Sequence, residues 1–190
     1  MMGRRVDDKS LLARFAVEFS RVVERFTEYI IVSGFVVIVS GRARGTEDVD
    51  MIIRPVAKEK FASLHEALLK AGFVCLQSDK VEEIYSYLKE NLSVRYTYKD
   101  IPLPEMEMKF VQDKLDDYQL KTKKKLSLTG LDLYFSSVEM NIAFKEEYLK
   151  SEKDLEDARH LRRVYVRDID EEEIKKIRKM LKEVRMKDEG

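Results

Sequence analysis

The sequence contains a single cysteine, and this scarcity restricts how the chain can be stabilised. Cys75 has no second thiol to pair with among the 190 residues. An internally cross-linked secreted fold is therefore excluded, and a reducing cytoplasmic setting is expected. The first residues are charged and lead into an amphipathic pattern, where a signal peptide would show an apolar run.

Net charge and long apolar runs are absent as well. The 36 Lys and Arg residues balance 36 Asp and Glu residues, which excludes a protein that binds nucleic acid through bulk positive charge. The longest apolar stretch, residues 29–39, is interrupted by Ser33 and Gly34 and is too short to cross a bilayer, so no membrane association is expected. Hydrophobic residues nevertheless make up 44%, enough for a globular core.

Hydrophobic periodicity predicts an α+β fold, with a mixed β-sheet flanked by helices. Runs predicted as strands are YIIVSG, EDVDMIIRP, FVCLQ, VRYTYK, EMEMKFV, KKKLSL and LDLYF. Segments predicted as helices are residues 10–27, residues 58–70, residues 81–91 and a last helix that follows Asp170. FVVIVSG is predicted as a short, largely buried helix, although periodicity alone does not separate it from a strand. No Gly/Ser linker or internal repeat divides the chain. We expect an α/β core over residues 1–139, which includes the N-terminal helix, and a helical segment over residues 140–190 packed on it.

The run Asp48-Val49-Asp50-Met51 is the first candidate for chemistry. In a strand, side chains alternate between faces, so both carboxylates lie on one side, about 6.7 Å apart along the strand, while Val49 and Met51 point into the core. Carboxylate pairs of this kind suit Mg²⁺, which shares its other positions with water and phosphate oxygens. Taken alone, an Asp-x-Asp pair is more often a solvated strand edge.

A Ser-Gly turn precedes the acids. Gly34 has no Cβ, so a ligand can approach the backbone closely there, and Ser33 adds a hydroxyl. If a helix starts at Phe35, its first N–H groups would favour a phosphate. A single Ser-Gly pair is usually only a turn, but followed by Asp48 and Asp50 it favours a site for a metal–triphosphate.

Together, Ser33-Gly34 and Asp48-Val49-Asp50-Met51 resemble the signature of the nucleotidyltransferase superfamily related to DNA polymerase β. GRARGTEDVDMII is similar to the corresponding region of small bacterial and archaeal members, including AbiEii-type toxins of abortive-infection toxin–antitoxin systems. IAFKEEYLKSEKDLEDARHL resembles the helical segment that follows the sheet in those proteins. The resemblance implies transfer of a nucleoside monophosphate from an NTP to a hydroxyl acceptor, with Mg²⁺ or Mn²⁺ as cofactor. The acceptor would be RNA such as a tRNA end, a protein or a small molecule, and a toxin would have an antitoxin partner.

The resemblance also implies roles for three acids. Asp48 and Asp50 would be metal ligands, and a third acid on a later strand would complete the metal site and help to deprotonate the acceptor. Glu107, between two methionines, is our choice, with Glu105 and Asp132 as alternatives. Family members more often carry Asp at the third position and Gly where this chain has Ser33. These departures leave open a degenerate, non-catalytic nucleotide-binding or interaction module on the same fold.

Basic and polar residues near these motifs are candidates for nucleotide binding. Lys145 and Lys153 align with family lysines that face the triphosphate, although exposed helix lysines are common. Arg42 and Arg44 flank the turn and would meet phosphates, or else lie in solvent. Thr46 precedes the acids and is expected to orient them or the ligand.

The remaining polar residues suggest structural roles more than chemistry. Asp154 is expected to form a capping box with Ser151. His65 and His160 have no metal-ligand partners nearby in sequence and are expected at the surface or its boundary. A cluster of four lysines could hold a polynucleotide or form a solvated hairpin. It comprises Lys121, Lys123, Lys124 and Lys125.

Overall fold

A mixed seven-stranded sheet organises the part of the chain described by the computed structural model, residues 3–42 and 48–188. Numbered β1 to β7 along the chain, the strands are Tyr29–Val32, Asp48–Ile53, Phe73–Cys75, Val94–Tyr98, Glu105–Phe110, Lys124–Lys125 and Tyr134–Phe135. Their spatial order is β3-β4-β5-β2-β1-β7-β6. Strand β2 is central and runs parallel to β5 and antiparallel to β1.

Helices flank this sheet. Within the described residues, α1 to α8 are Gly3–Val23, Gly34–Val39, Lys58–Lys70, Val81–Lys89, Lys114–Lys121, Val138–Phe144, Glu152–Val164 and Glu171–Asp188. A short 3₁₀ turn covers Ser127–Thr129, and a π-helical turn, Lys145–Leu149, continues α6. None of the helices in this part of the chain is both long and apolar enough to cross a membrane.

Alternation along the central strands separates a core face from an open face. In β5, Met106, Met108 and Phe110 are buried, whereas the residues between them are only half-buried. The core face packs on α1 and α3, whose apolar residues, such as Phe15 and Phe61, are fully buried. Burying these large side chains supplies the main stabilisation of the sheet.

Helix α5 covers only part of the opposite face. Leu120 from α5 packs on Ile30 of β1 and Ile52 of β2, which lie toward one end of the central strands. At the other end of β2, Asp48 is exposed and Asp50 is half-buried. The face of the sheet that carries both acids therefore stays accessible there.

The C-terminal helices pack mainly on one another. Ile174, Ile177 and Leu181 form the apolar stripe predicted for the last helix, and all three are buried. Helix α2 meets α7 and the turn after it, where the hydroxyls of Ser40 and Tyr165 lie 3.0 Å apart.

The predicted fold class is confirmed, and so is the short buried helix at FVVIVSG, which is α2. Four predictions need correction. The first helix ends at Val23, earlier than residue 27, and KKKLSL and LDLYF contribute only two-residue strands. Helix α5, which was not predicted, lies between EMEMKFV and KKKLSL, and Asp113 caps it by accepting a hydrogen bond from the backbone N–H of Asp116. His65 is buried, with Nδ1 2.8 Å from the hydroxyl of Tyr96, because it lies on the inward face of α3.

Candidate functional site

Four carboxylates lie on the open face of the sheet, on neighbouring strands β2 and β5. In their parallel register, Asp50 is opposite Glu107 and Asp48 is opposite Glu105. Adjacent strands are about 4.8 Å apart, and residues in register point to the same face. The structure thus brings Asp48, Asp50 and Glu107 onto one patch of surface, as their positions in sequence alone could not establish.

The Ser33-Gly34 turn lies directly beside this patch. Val32, the last residue of β1, is in register with Asp50, so the turn begins one residue away. Ser33 has φ 67° and ψ −138°, a region that L residues other than glycine rarely occupy. Gly34 is buried at the start of α2. Because α2 has only six residues, its helix dipole is weak. The turn would therefore act mainly by letting a ligand come close to the backbone.

Glu107 is engaged by two neighbours from β4 and the loop before it. The Ser93 hydroxyl donates to Oε1 at 2.7 Å, and Nη2 of Arg95 donates to Oε2 at 3.0 Å. Burial raises the pKa of Glu107, but the hydrogen bonds from Ser93 and Arg95 outweigh it and leave this pKa below its usual value. Glu107 is therefore an ionised carboxylate near neutral pH.

The two alternative third acids occupy different surroundings. Glu105 is half-buried in β5 and lies 3.5 Å from Nε of Arg95. Asp132 lies toward the β7-β6 edge of the sheet, in the loop before β7, where its exposed carboxylate pairs with Lys125 at 2.6 Å. Strands β1 and β7 separate Asp132 from β2, so the structure groups Glu105 and Glu107, but not Asp132, with the aspartates.

A cavity of about 250 Å³ opens between the open face of the sheet and the C-terminal helices. Ser33 and Ile52 line it from the sheet side, and Lys145 lines it from the helical side. Apolar side chains and the rings of Phe144 and Tyr148, which stack 5.0 Å apart, form much of the opposite wall. The cavity therefore combines apolar surface with several polar and charged side chains, among them Asp113 and Asp116 beside Lys145.

Lys145 is buried in an ion-pair network. Its Nζ lies 3.0 Å from Oδ2 of Asp157 and 3.5 Å from Oδ1 of Asp154. Arg42 reaches the same network from the end of α2, with Nη1 2.7 Å from Oδ1 of Asp157 and Nη2 2.6 Å from Oε2 of Glu156. Arg42 and Lys145, both predicted from sequence, are thus joined through one buried aspartate.

The other predicted polar residues are placed differently. Lys153 is exposed on the first turn of α7 and does not line the cavity. Arg44 and Thr46 lie outside the described residues. Asp154 forms the expected capping box, since the Ser151 hydroxyl accepts from its backbone N–H at 3.1 Å and bonds its carboxylate.

The oxygen-rich donor set on β2 suits a hard divalent cation. Mg²⁺ is usually held by one or two carboxylates, with water and substrate phosphates completing its shell, and Asp48 and Asp50 supply two. Within residues 3–42 and 48–188, no three His, Cys, Asp or Glu side chains converge as a complete metal-binding group. The residues therefore fit an ion shared with a ligand better than a closed structural metal site.

The lysine cluster is largely neutralised by acids. Lys121 pairs with Asp117, Lys123 with Glu28 and Lys125 with Asp132, each at 2.6 Å. Lys123 and Lys125 also lie over the ring of Tyr134. This arrangement favours a solvated hairpin over a polynucleotide groove.

Arg95 and Ser93 are the site neighbours that sequence reasoning missed. Ser93 precedes VRYTYK and Arg95 belongs to it. The alternation of side chains along this strand places Arg95 on the face that is not shared by the buried Val94 and Tyr96. Only the antiparallel register of β4 with β5, which sets Arg95 beside Glu107, shows that they share the acid patch.

Comparison with solved structures identifies related folds. No protein-family model and no curated protein sequence matches the chain. The antibiotic-resistance factor ANT(2'')-Ia is similar over 95% of this chain and 96% of its own, with a TM-score of 0.58 and 13% identity. An antigenic nucleotidyltransferase-like protein from Paracoccidioides brasiliensis is similar over 95% and 89%, with a TM-score of 0.53 and 18% identity. The protein therefore has a nucleotidyltransferase-like fold.

Proposed function

We propose that the protein is a magnesium-dependent nucleotidyltransferase, which transfers a nucleoside monophosphate from an NTP to a hydroxyl acceptor. The observation that carries this proposal is the register of β1, β2 and β5. It sets the Ser33-Gly34 turn, Asp50 and Glu107 side by side on an accessible face of the sheet. The nucleotidyltransferase-like fold supports the same activity.

The acids have different roles in this proposal. Asp48 and Asp50 would hold Mg²⁺ or Mn²⁺, which would neutralise triphosphate charge and activate the acceptor hydroxyl. Glu107, ionised near neutral pH, would accept the proton of that hydroxyl.

The cavity would receive the nucleotide, with each part of the chain contributing one wall. The proposed core, residues 1–139, supplies Ser33, and the helical segment, residues 140–190, supplies Lys145. The Lys145 ammonium has three N–H donors, so a phosphate oxygen can join its two carboxylate partners.

The remaining predicted residues would have supporting roles. Arg42 would support Lys145 through Asp157. Arg44 and the exposed Lys153 would meet the phosphates, and Thr46 would orient the acids or the ligand.

The test is incubation of the purified protein with each of the four α-³²P-labelled NTPs, Mg²⁺ and total RNA or lysate protein. Transfer of label should be lost in Asp48→Asn and Asp50→Asn. Asp132→Asn is the matched control. This variant should retain activity, because Asp132 is exposed and lies toward the β7-β6 edge of the sheet, away from β2. Absence of label transfer under all conditions, with unchanged NTP binding by Asp48→Asn, would refute the proposal.

A non-catalytic nucleotide-binding module is the second candidate. The observation in its favour is that Ser93 and Arg95 engage both oxygens of Glu107. This function predicts nucleotide binding that requires Lys145 but gives no metal-dependent turnover. Isothermal titration with NTPs, run beside the transfer assay, separates the two.

An AbiEii-type toxin with an antitoxin partner is the finer proposal for biological role, with RNA, a protein or a small molecule as acceptor. Expression of the wild-type chain would then arrest growth of a bacterial host, and Asp48→Asn would relieve the arrest. Equal growth with both chains would contradict a toxin role and leave the transfer chemistry untouched.

A further inference from the structure

Arg95 extends from β4 across the acid patch of the sheet. Its guanidinium bonds Oε2 of Glu107 through Nη2 at 3.0 Å and Nε at 3.3 Å, and Nε lies 3.5 Å from Oε2 of Glu105. Asp48 also acts electrostatically on this guanidinium. One cation thus faces three carboxylates, on the side of the patch that lies opposite the Ser33-Gly34 turn.

The surrounding structure holds this arrangement in place. The backbone N–H of Arg95 donates to the side-chain carbonyl of Gln77 at 2.8 Å, and its carbonyl accepts from Leu76 at 2.8 Å. Ser93 holds the other oxygen of Glu107. The Arg95 side chain is 47% exposed, and an isolated exposed pair of this kind contributes little stability. Here, however, several carboxylates lie close together and repel one another. The Arg95 guanidinium reduces this repulsion, which is an effect that an isolated ion pair does not have.

We propose that Arg95 is a positioning residue, a built-in counter-cation that competes with the divalent metal for Glu107. This inference rests on the proposed function. While Arg95 bonds Glu107, a cation binds through Asp48 and Asp50 alone, and Glu107 joins the site only when the guanidinium moves away. The long, half-exposed side chain can make that movement without unfolding β4. Arg95 therefore sets the metal affinity of the resting protein. It also determines when Glu107 can join Asp48 and Asp50 at the metal site.

The test is a double-mutant cycle on Mn²⁺ affinity without nucleotide, read from the electron paramagnetic resonance signal of free Mn²⁺. We expect Arg95→Gln to tighten Mn²⁺ binding about tenfold, because a nearby positive charge is removed and Glu107 is released. Glu107→Gln should change the affinity little in the wild-type background and weaken it about tenfold in the Arg95→Gln background.

Arg54→Gln is the matched control for general loss of charge. Arg54 follows the far end of β2, and its side chain is 40% exposed and paired with Glu28 and Asp117. This variant should bind Mn²⁺ within about twofold of the wild type, since exposed charges at such a distance are screened.

The outcomes separate the inference from the proposed function. Equal effects of Glu107→Gln in both backgrounds, or an Arg95→Gln variant no tighter than Arg54→Gln, would overturn the role of Arg95. If Asp48→Asn abolishes Mn²⁺ binding at the same time, the proposed metal site survives that result. Mn²⁺ binding that persists in Asp48→Asn would instead refute the metal site, and the competition with Arg95 along with it.

Discussion

Replacing Ser33 by glycine should stabilise the protein. Ser33 has φ 67° and ψ −138°, and a residue other than glycine in such a region costs about 1–3 kcal/mol. Glycine removes this strain but has more freedom in the unfolded chain, which offsets about 0.4–1 kcal/mol. Ser33 is exposed and its side chain makes no hydrogen bond that caps α2, so little else is lost. The net gain is roughly 1–2 kcal/mol.

Thermal unfolding followed by circular dichroism measures this gain. For a chain of this size each kcal/mol shifts Tm by about 2–4 °C, so Ser33→Gly should raise Tm by roughly 2–8 °C. Ser33→Ala is the matched control, because it removes the hydroxyl and keeps the Cβ that causes the strain. It should unfold within about 1 °C of the wild type.

The outcome that matters is the difference between the two variants. A Ser33→Gly protein no more stable than Ser33→Ala would show that the turn is not strained by its Cβ. The assay is independent of any activity, so it tests the geometry of the turn beside Asp50 even if no substrate is known.

Three further predictions concern the interior of the protein. Lys145→Met should lower the free energy of unfolding by about 3 kcal/mol, because the buried Asp157 loses an ion-pair partner. Adding Asp157→Leu should recover part of that loss, as measured by urea denaturation. A double variant that is less stable than Lys145→Met would contradict this. Burial lowers the pKa of His65, so the unfolded chain binds its proton first and stability should fall as the pH drops below about 6.5. Urea midpoints between pH 5 and 7 should show a shallower pH slope in His65→Gln, and an unchanged slope would count against His65. Ile177→Ala, at a fully buried position of α8, should lower the free energy of unfolding by about 2–5 kcal/mol. Met186→Ala, on the same helix but 76% exposed, should change it by less than about 0.5 kcal/mol. Equal effects of the two substitutions would show that α8 is not anchored through its apolar stripe.

Local patterns predicted the parts of the site that depend on neighbours in sequence. Alternation around Val49 places Asp48 and Asp50 on one face, and the apolar run after Gly34 forms the short helix α2. Where local signals are weak, the predictions were wrong: LDLYF has a strand-like composition, but only Tyr134–Phe135 pairs with other strands.

The third acid illustrates a different limit. Glu105, Glu107 and Asp132 all lie beside apolar residues, so the sequence favoured Glu107 but could not show which of them shares a surface with the aspartates. Pairing of β5 with β2 groups the two glutamates with the aspartates and leaves Asp132 at a distant edge of the sheet. The catalytic role of Glu107 stays a prediction, and its engagement with Arg95 is what the proposed Mn²⁺ experiments examine.

The two hydrophobic periods determined the class of fold and the order of most elements, and residue spacing determined the turn-and-acids motif. These properties are local, because each depends on side chains a few residues apart. Only the tertiary structure decided that Arg95 lies on Glu107 and that Lys145 and Arg42 meet at Asp157. Such pairs join distant parts of the chain, and they form because buried or crowded charges must find partners once strand register and helix packing have brought them together.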